Sequence, residues 1–148
     1  MNSSKRVNIV SIKLVKESSI LYKERSVRTP EDGYKLLKLF LEEQDREHFI
    51  VVCLDTKNQP TAIHTCHIGS LNSSIVHPRE VMKSAILSNA ASILIGHNHP
   101  SGNTKESIED VEVTKRLAEV GKIMGIELLD HIIVGDDSYT SLKEKGLI

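Results

Sequence analysis

The sequence predicts an α/β fold, in which a single domain is built on a mixed β-sheet flanked by helices. Segments with the apolar spacing of helices alternate along the chain with short apolar or alternating runs that are typical of strands. The 148 residues are 39% hydrophobic and 26% charged, which suffices for one core. The sequence contains no internal repeat, low-complexity tract or linker, so a second domain is not expected.

The first 28 residues are predicted to form a strand or arm and a connector, ahead of a domain over residues 29–148. Val7–Val15 alternates well enough for a strand, either at a sheet edge or as an arm on a partner. A further short strand is predicted at Ile20–Tyr22 within the polar connector.

Three helices are predicted from their start and stop signals. Thr29 is a good N-cap with a proline after it, and Pro78 suits the first position of the second helix. The third helix begins near Ser107 and ends with Gly125 as its C-cap, while Gly121 is a weak point inside it. In chain order, the predicted elements are a helix from Thr29 to the acidic run 42–47, a hairpin of strands Phe49–Leu54 and Thr61–Ile68, a loop at Gly69–Ser74, a helix from His77 towards Ala90, a strand at Ala90–Ile95, a helix from Ser107 to about Met124, a strand at Ile126–Val134 and a short element at Tyr139–Leu142.

Composition disfavours a nucleic-acid or membrane partner. The 19 basic and 20 acidic residues give a formal net charge of -1, so no global basic field exists to hold nucleic acid. No apolar run has membrane-spanning length, and the first residues lack the apolar core of a signal peptide. We therefore expect a soluble, cytoplasmic protein. A local basic cluster remains near the N-terminus, at Lys13, Lys16, Lys23, Arg25 and Arg28.

The most informative stretch is IGHNHPSG at residues 95–102, read together with SIED at residues 107–110. His97 and His99 are two residues apart, so both imidazoles leave one face if they end a strand. Asp110 lies at a helix start, three residues after Ser107. Two neutral imidazoles and one carboxylate, with a fourth position left for water, are the ligand set of a catalytic zinc site. The sequence therefore predicts one Zn²⁺ per chain.

The spacing His97-x-His99, seven residues, Ser107, two residues, Asp110 resembles the JAMM metalloprotease signature of the JAB/MPN domain. The resemblance covers about residue 29 to the C-terminus and implies a cytidine-deaminase-like architecture with helices on both sides of the sheet. The surrounding words resemble the RadC branch of that family: HNHPSG at residues 97–102, HPRE at 77–80 and LDHIIVG at 129–135.

This resemblance implies a zinc hydrolase in which metal-activated water attacks an amide or isopeptide bond. Zinc lowers the pKa of water from about 15.7 to roughly 7 and polarises the carbonyl. In the family a glutamate just before an early core strand acts as the general base. The best match is Glu47, with Glu43 and Glu42 as fallbacks because a boundary read from sequence shifts by a few residues. Ser107 matches the serine that donates a hydrogen bond to the oxyanion.

Each assignment has a simpler competing interpretation. The two histidines fit a strand-end loop, and Glu47 fits a solvated acid at a helix end equally well. Ser107 and Asp110 fit a helix capping box, and an Asp110 folded back on the cap is not expected to reach a metal as well. The joint spacing at one family's intervals favours the metal site over these separate explanations.

Two polar neighbours are interpreted as structural. His131 is predicted to be a hydrogen-bonded core or sheet histidine rather than a ligand. Asn98 is predicted to point away from the two histidines beside it, because successive residues of a strand face opposite sides. The loop at residues 102–106 either lines a substrate groove or is an ordinary solvated loop.

Three classes of function remain open. The first is a JAMM-type metallopeptidase or isopeptidase with a peptide or isopeptide substrate. The second is a RadC-type DNA-repair-associated protein, for which the charge gives no support and for which residues 1–28 do not resemble the helix-hairpin-helix segment of RadC proteins. The third is a non-catalytic metal-binding scaffold. The sequence decides neither the substrate nor the oligomeric state, a homo-oligomer included.

Overall fold

The computed structural model of the protein describes residues 3–69 and 76–148. Within these ranges the elements are α1 (Pro30–Leu41), β1 (His48–Leu54), β2 (Pro60–Ile68), α2 (Pro78–Leu87), β3 (Ser92–Asn98), α3 (Ile108–Met124), β4 (Glu127–Val134) and β5 (Tyr139–Ser141). The strands form one sheet in the order β2-β1-β3-β4-β5. β3 is parallel to β4, and the other neighbours are antiparallel, so the sheet is mixed as predicted.

Helices cover both faces of the sheet, which confirms the α/β class. On one face, Leu37 of α1 packs into a cluster with Ile50 of β1. On the other face, Leu117 of α3 packs into a cluster with Ile95 of β3, and α2 contributes to the same cluster. Because side chains alternate along a strand, His97 shares the face of Ile95 and therefore lies on the α3 side.

α1 and α3 begin at the N-caps predicted from the sequence, and α3 ends at its predicted C-cap. The Thr29 hydroxyl accepts a hydrogen bond from the Asp32 amide at 3.2 Å, and the Asp32 carboxylate accepts one from the Thr29 amide at 3.1 Å. α3 has the same reciprocal cap, and it ends at Gly125, which has a left-handed φ of 71°. That backbone conformation favours glycine. Gly121 lies inside α3, and glycine is required there because a Cβ would overlap the Ile126 carbonyl oxygen where α3 turns into β4.

The N-terminal segment differs from its prediction. Residues 3–22 form no helix or strand within this chain and are almost entirely exposed, so Val7–Val15 is not an edge strand of the sheet and the strand predicted at Ile20–Tyr22 is wrong. The alternative for Val7–Val15, an arm on a partner, stays a prediction. The physical reason is that a strand needs a neighbour for its backbone groups, and none of the five described strands pairs with this segment. The chain joins the domain at Val27, whose amide donates to the Asn58 carbonyl at 2.8 Å.

Smaller corrections concern the boundaries around the site. α2 ends at Leu87 rather than near Ala90, because Asn89 takes a left-handed φ of 55°. β3 begins later than predicted and runs through Asn98, so His97 belongs to the strand itself. The loop predicted at Gly69–Ser74 lies outside the described residues except for its first glycine. Among the helices of the described ranges, none combines the length and apolar character needed to cross a membrane.

Candidate metal centre

The four predicted residues of the signature meet at the C-terminal end of β3. His97 is the second-last residue of the strand, and His99 follows it, with its amide bonded to the Val134 carbonyl of β4 at 3.0 Å. The chain then passes directly into α3, where Ser107 is the N-cap and Asp110 lies in the first turn. A strand, a short connection and a helix start therefore bring together groups that are close in sequence.

Their ligating atoms converge. His97 Nε2 lies 3.1 Å from Asp110 Oδ1, His99 Nε2 lies 3.2 Å from Asp110 Oδ2, and the two Nε2 atoms are 3.0 Å apart. One ligating atom from each residue falls within 4.8 Å of the other two. The His97 and Asp110 side chains are buried, whereas the His99 side chain is 14% exposed and borders the solvent. The site is thus held by the core and open on one side.

The donor set fits a divalent transition metal. Two imidazole nitrogens and a carboxylate offer lone pairs to one point, and lone pairs that face one another repel unless a proton or a cation lies between them. Nitrogen and oxygen ligands of this kind suit zinc, whereas Mg²⁺ and Ca²⁺ prefer oxygen alone. His99 is already oriented for this task, because its Nδ1 lies 2.7 Å from the Asn103 carbonyl and must donate to it, which directs Nε2 inward.

The pKa values of the three groups follow from this contact. Burial acts to raise the pKa of Asp110, but its contacts with His97 and His99 outweigh burial and hold that pKa well below its usual range. The hydrogen bond with Asp110 raises the pKa of His99 against the opposing effect of burial, with further contributions from the Asn103 carbonyl and the charge of Glu47. Asp110 is therefore ionised, and its negative charge favours a proton on His99.

Asp110 caps α3 and faces both histidines at the same time, so the expectation that one role excludes the other was wrong. Its Oδ2 accepts a hydrogen bond from the Ser107 amide at 2.8 Å, and the Ser107 hydroxyl accepts one from the Asp110 amide at 3.0 Å. A carboxylate has two oxygens with about four lone-pair positions, which is enough for the cap and for the inward contacts. The capping box thus orients the carboxylate instead of competing for it.

A family model described as the RadC-like JAB domain matches residues 27–147. This chain belongs to the RadC-like JAB domain family. Its relatives include a UPF0758 protein of Geobacillus sp. strain WCH70, 57% identical over 122 residues, which are 82% of this chain and 54% of the relative. A UPF0758 protein of Caldanaerobacter subterraneus subsp. tengcongensis is 58% identical over 121 residues, or 82% and 52% of the two chains. One from Methanosarcina barkeri is 50% identical over 125 residues, or 84% and 55%. The chain thus spans about half the length of the curated relatives it matches.

Within this RadC-like JAB domain, Glu47 lies directly before β1. Phe49 of β1 pairs with His97 of β3, which is the last pair of that ladder; the same antiparallel register, extended by two residues, would put Glu47 opposite His99. The electrostatic effect of Glu47 on the pKa of His99 agrees with that placement. The fallback Glu42 instead caps the end of α1, on the other face of the sheet, and pairs with Lys38 at 3.8 Å. The role of Glu47 as general base stays a prediction.

The fold also explains Asn98. Its side chain points away from the histidines, as predicted, and spans the backbone on both sides of Glu47. Asn98 Oδ1 accepts a hydrogen bond from the His48 amide at 2.7 Å, and Nδ2 donates to the Arg46 carbonyl at 3.0 Å. The strand that carries the histidines thus also holds the backbone of the predicted base.

The sequence did not reveal that His131 and Thr114 form a hydrogen-bonded pair behind the site. His131 is a buried, hydrogen-bonded sheet histidine as predicted, but its partners are His97, at 2.8 Å, and Thr114, at 2.6 Å. Burial holds the pKa of His131 well below its usual range, so it is neutral. Thr114 follows Asp110 by one helical turn, which is a local signal that could have singled it out.

Proposed function

We propose that this chain is a zinc-dependent hydrolase of the JAMM type that cleaves an amide or isopeptide bond. The convergence of His97, His99 and Asp110 at the end of β3 carries the proposal, because two imidazole nitrogens and a carboxylate directed at one point form a ligand set that a divalent cation can occupy. Membership of the RadC-like JAB domain family supports a hydrolase-like fold. Residues 100–106, beside His99, are exposed or half-buried.

When bound, a divalent cation supplies Lewis-acid chemistry, since it makes water acidic near neutral pH and polarises a carbonyl. The protein contributes the fixed positions of the candidate ligands. His97 and Asp110 are fixed in the core, and the positive end of the α3 dipole stabilises the carboxylate. His99 forms the solvent-facing side of the set.

Glu47 is proposed as the general base. From its position opposite His99, its carboxylate takes a proton from the attacking water and returns it to the nitrogen of the leaving amine. A positioned acid–base group contributes about 10²–10⁴-fold to the rate. Asn98 restrains the backbone on both sides of Glu47, so the direction of approach is set by the sheet rather than by a free loop.

Ser107 is proposed to stabilise the oxyanion. Its oxygen already accepts a hydrogen bond from the Asp110 amide, which leaves the hydroxyl hydrogen available for a second partner. This role requires the developing oxyanion of the substrate to lie within hydrogen-bond reach of the Ser107 hydroxyl. Loss of one such donor costs about 10²–10³ in turnover.

Metal content tests the ligand assignment. Protein stripped with a chelator and reloaded with zinc is expected to hold one ion per chain by elemental analysis. The His97→Ala variant is expected to lose it, whereas the matched His64→Ala variant, at an exposed residue of β2, keeps it. Full zinc content in His97→Ala would contradict the proposal.

Cleavage tests the reaction. The probes are an internally quenched peptide library of mixed sequence and a set of peptides joined through a lysine ε-amide. We expect the zinc-loaded protein to cleave one of the two sets and Glu47→Gln to retain zinc while losing about 10²–10⁴-fold of that rate. Glu43→Gln, at an exposed residue before β1, is the control. Zinc binding without cleavage of either set would favour the scaffold, and salt-sensitive DNA binding would favour the nucleic-acid class.

A further inference from the structure

A chain of hydrogen bonds runs behind the metal centre, on the side away from solvent. His97 Nδ1 lies 2.8 Å from His131 Nε2, and His131 Nδ1 lies 2.6 Å from the Thr114 hydroxyl oxygen. That hydroxyl is 2.7 Å from the backbone carbonyl oxygen of Asp110. All four residues are buried, so water does not substitute for any of these partners.

Only one placement of the hydrogen atoms gives each of these three contacts a donor and an acceptor. The Asp110 carbonyl can only accept, so the single hydrogen of the Thr114 hydroxyl points to it. The Thr114 oxygen must then accept from His131 Nδ1. Because a neutral imidazole carries one N–H, His131 Nε2 has a bare lone pair and accepts from His97 Nδ1. A neutral His97 with its hydrogen on Nδ1 has none on Nε2, which is the atom that faces His99 and Asp110.

We infer that His131 and Thr114 are positioning residues that hold His97 in the one tautomer able to bind a metal through Nε2. The inference rests on the proposed function, because it concerns the same centre. This series of hydrogen bonds begins at one candidate ligand, His97 on β3, and ends at the backbone carbonyl of another, Asp110 on α3. It therefore fixes the distance between these two residues as well as the tautomer of His97.

The packing around the chain supports a fixed arrangement. The Phe49 ring lies against both imidazoles, with centroid distances of 6.3 Å to His97 and 5.9 Å to His131. A threonine hydroxyl often bonds the carbonyl four residues earlier in a helix, so the bond from Thr114 to Asp110 alone would be a local feature. The contact of the same oxygen with His131 is not local, because it joins α3 to β4.

Zinc affinity is the first test, measured by competition with a chromophoric chelator. Outer partners of metal-binding histidines typically contribute 10–100-fold, so we expect Thr114→Val to weaken zinc binding by about that factor. Thr114→Ser keeps the hydroxyl and is expected to restore affinity close to that of the unaltered protein. Ser84→Ala, which removes another buried helical hydroxyl, is the matched control and is expected to have no effect.

Histidine nitrogen NMR of the metal-free protein is the second test. Long-range proton–nitrogen spectra of ¹⁵N-labelled protein are expected to show His131 and His97 with hydrogen on Nδ1 and none on Nε2. In Thr114→Val, His131 is expected to lose that single preference. Hydrogen on Nε2 of either histidine in the unaltered protein would overturn the inference, and this measurement needs no variant.

The two proposals fail in different ways. If the unaltered protein does not bind zinc, the proposed function fails, although the spectra still report the tautomers. If it binds zinc and Thr114→Val binds equally well, the positioning role of this chain is wrong while the metal site stands.

Discussion

His99 differs from the other two candidate ligands because its side chain borders the solvent. Its hydrogen bond with Asp110 raises its pKa above the ordinary value of 6.5. A metal ion and a proton on Nε2 need the same nitrogen, so they compete for it. The state of one rim histidine therefore decides how readily the site accepts an ion.

The pH dependence of zinc binding follows from that competition. Because the folded pKa of His99 is raised, its stabilising effect on the metal-free protein is complete below the unfolded pKa and is lost as pH rises through the folded pKa. Zinc affinity should do the opposite and increase over the same range, with proton release on binding. Competition titrations at several pH values, and calorimetry in buffers of different ionisation enthalpy, measure both. An affinity that does not change with pH would contradict the assignment.

Asn98 offers a second prediction at the level of a single side chain. In Asn98→Ala the backbone around Glu47 loses two hydrogen bonds, and a misplacement of about 1 Å can cost 10²-fold in rate. We therefore expect a large fall in kcat with zinc content unchanged. If Asn98 acts through Glu47, the substitution should add little in a Glu47→Gln background. Full additivity of the two losses would assign Asn98 a separate role.

At the scale of elements, α1 and α3 begin with the same device and allow a matched comparison. Thr29 and Ser107 each form a reciprocal capping box with an aspartate three residues later. Replacing either by alanine should lower the free energy of unfolding by about 1 kcal/mol, measured by denaturant titration. Only Ser107→Ala should also reduce turnover, by about 10²–10³. Equal activity of the two variants would contradict the proposed role of Ser107 in stabilising the oxyanion.

The elements also show how far the sequence alone can go. Thr29, Pro78 and Gly125 mark helix boundaries through local backbone chemistry, and the histidines and Asp110 are close in sequence, so both could be predicted. The pairing of His97 with His131 could not, because it depends on the register of β3 against β4, and a shift of one residue turns a side chain to the other face. Val7–Val15 has the pattern of a strand but no partner among the described strands, and a local pattern cannot supply one.

At the scale of the whole molecule, the candidate ligands join β3 to α3, so an ion would link the sheet to its longest helix. The unfolded chain lacks that convergence and binds zinc more weakly. Zinc at about 100 times its Kd should therefore raise the free energy of unfolding by about 2.7 kcal/mol. Thermal unfolding with zinc and with a chelator measures the difference, and His97→Ala should abolish it. A Tm that does not respond to zinc would count against the metal centre.

The double use of Asp110 also bears on how such a centre would decay over evolutionary time. A substitution of Asp110 removes the capping box of α3 together with a candidate metal ligand. A substitution of His99, at the solvent-facing edge of the site, leaves the core and the helix cap unchanged. A descendant that abandons catalysis but must still fold is expected to replace its rim histidine early and its aspartate last.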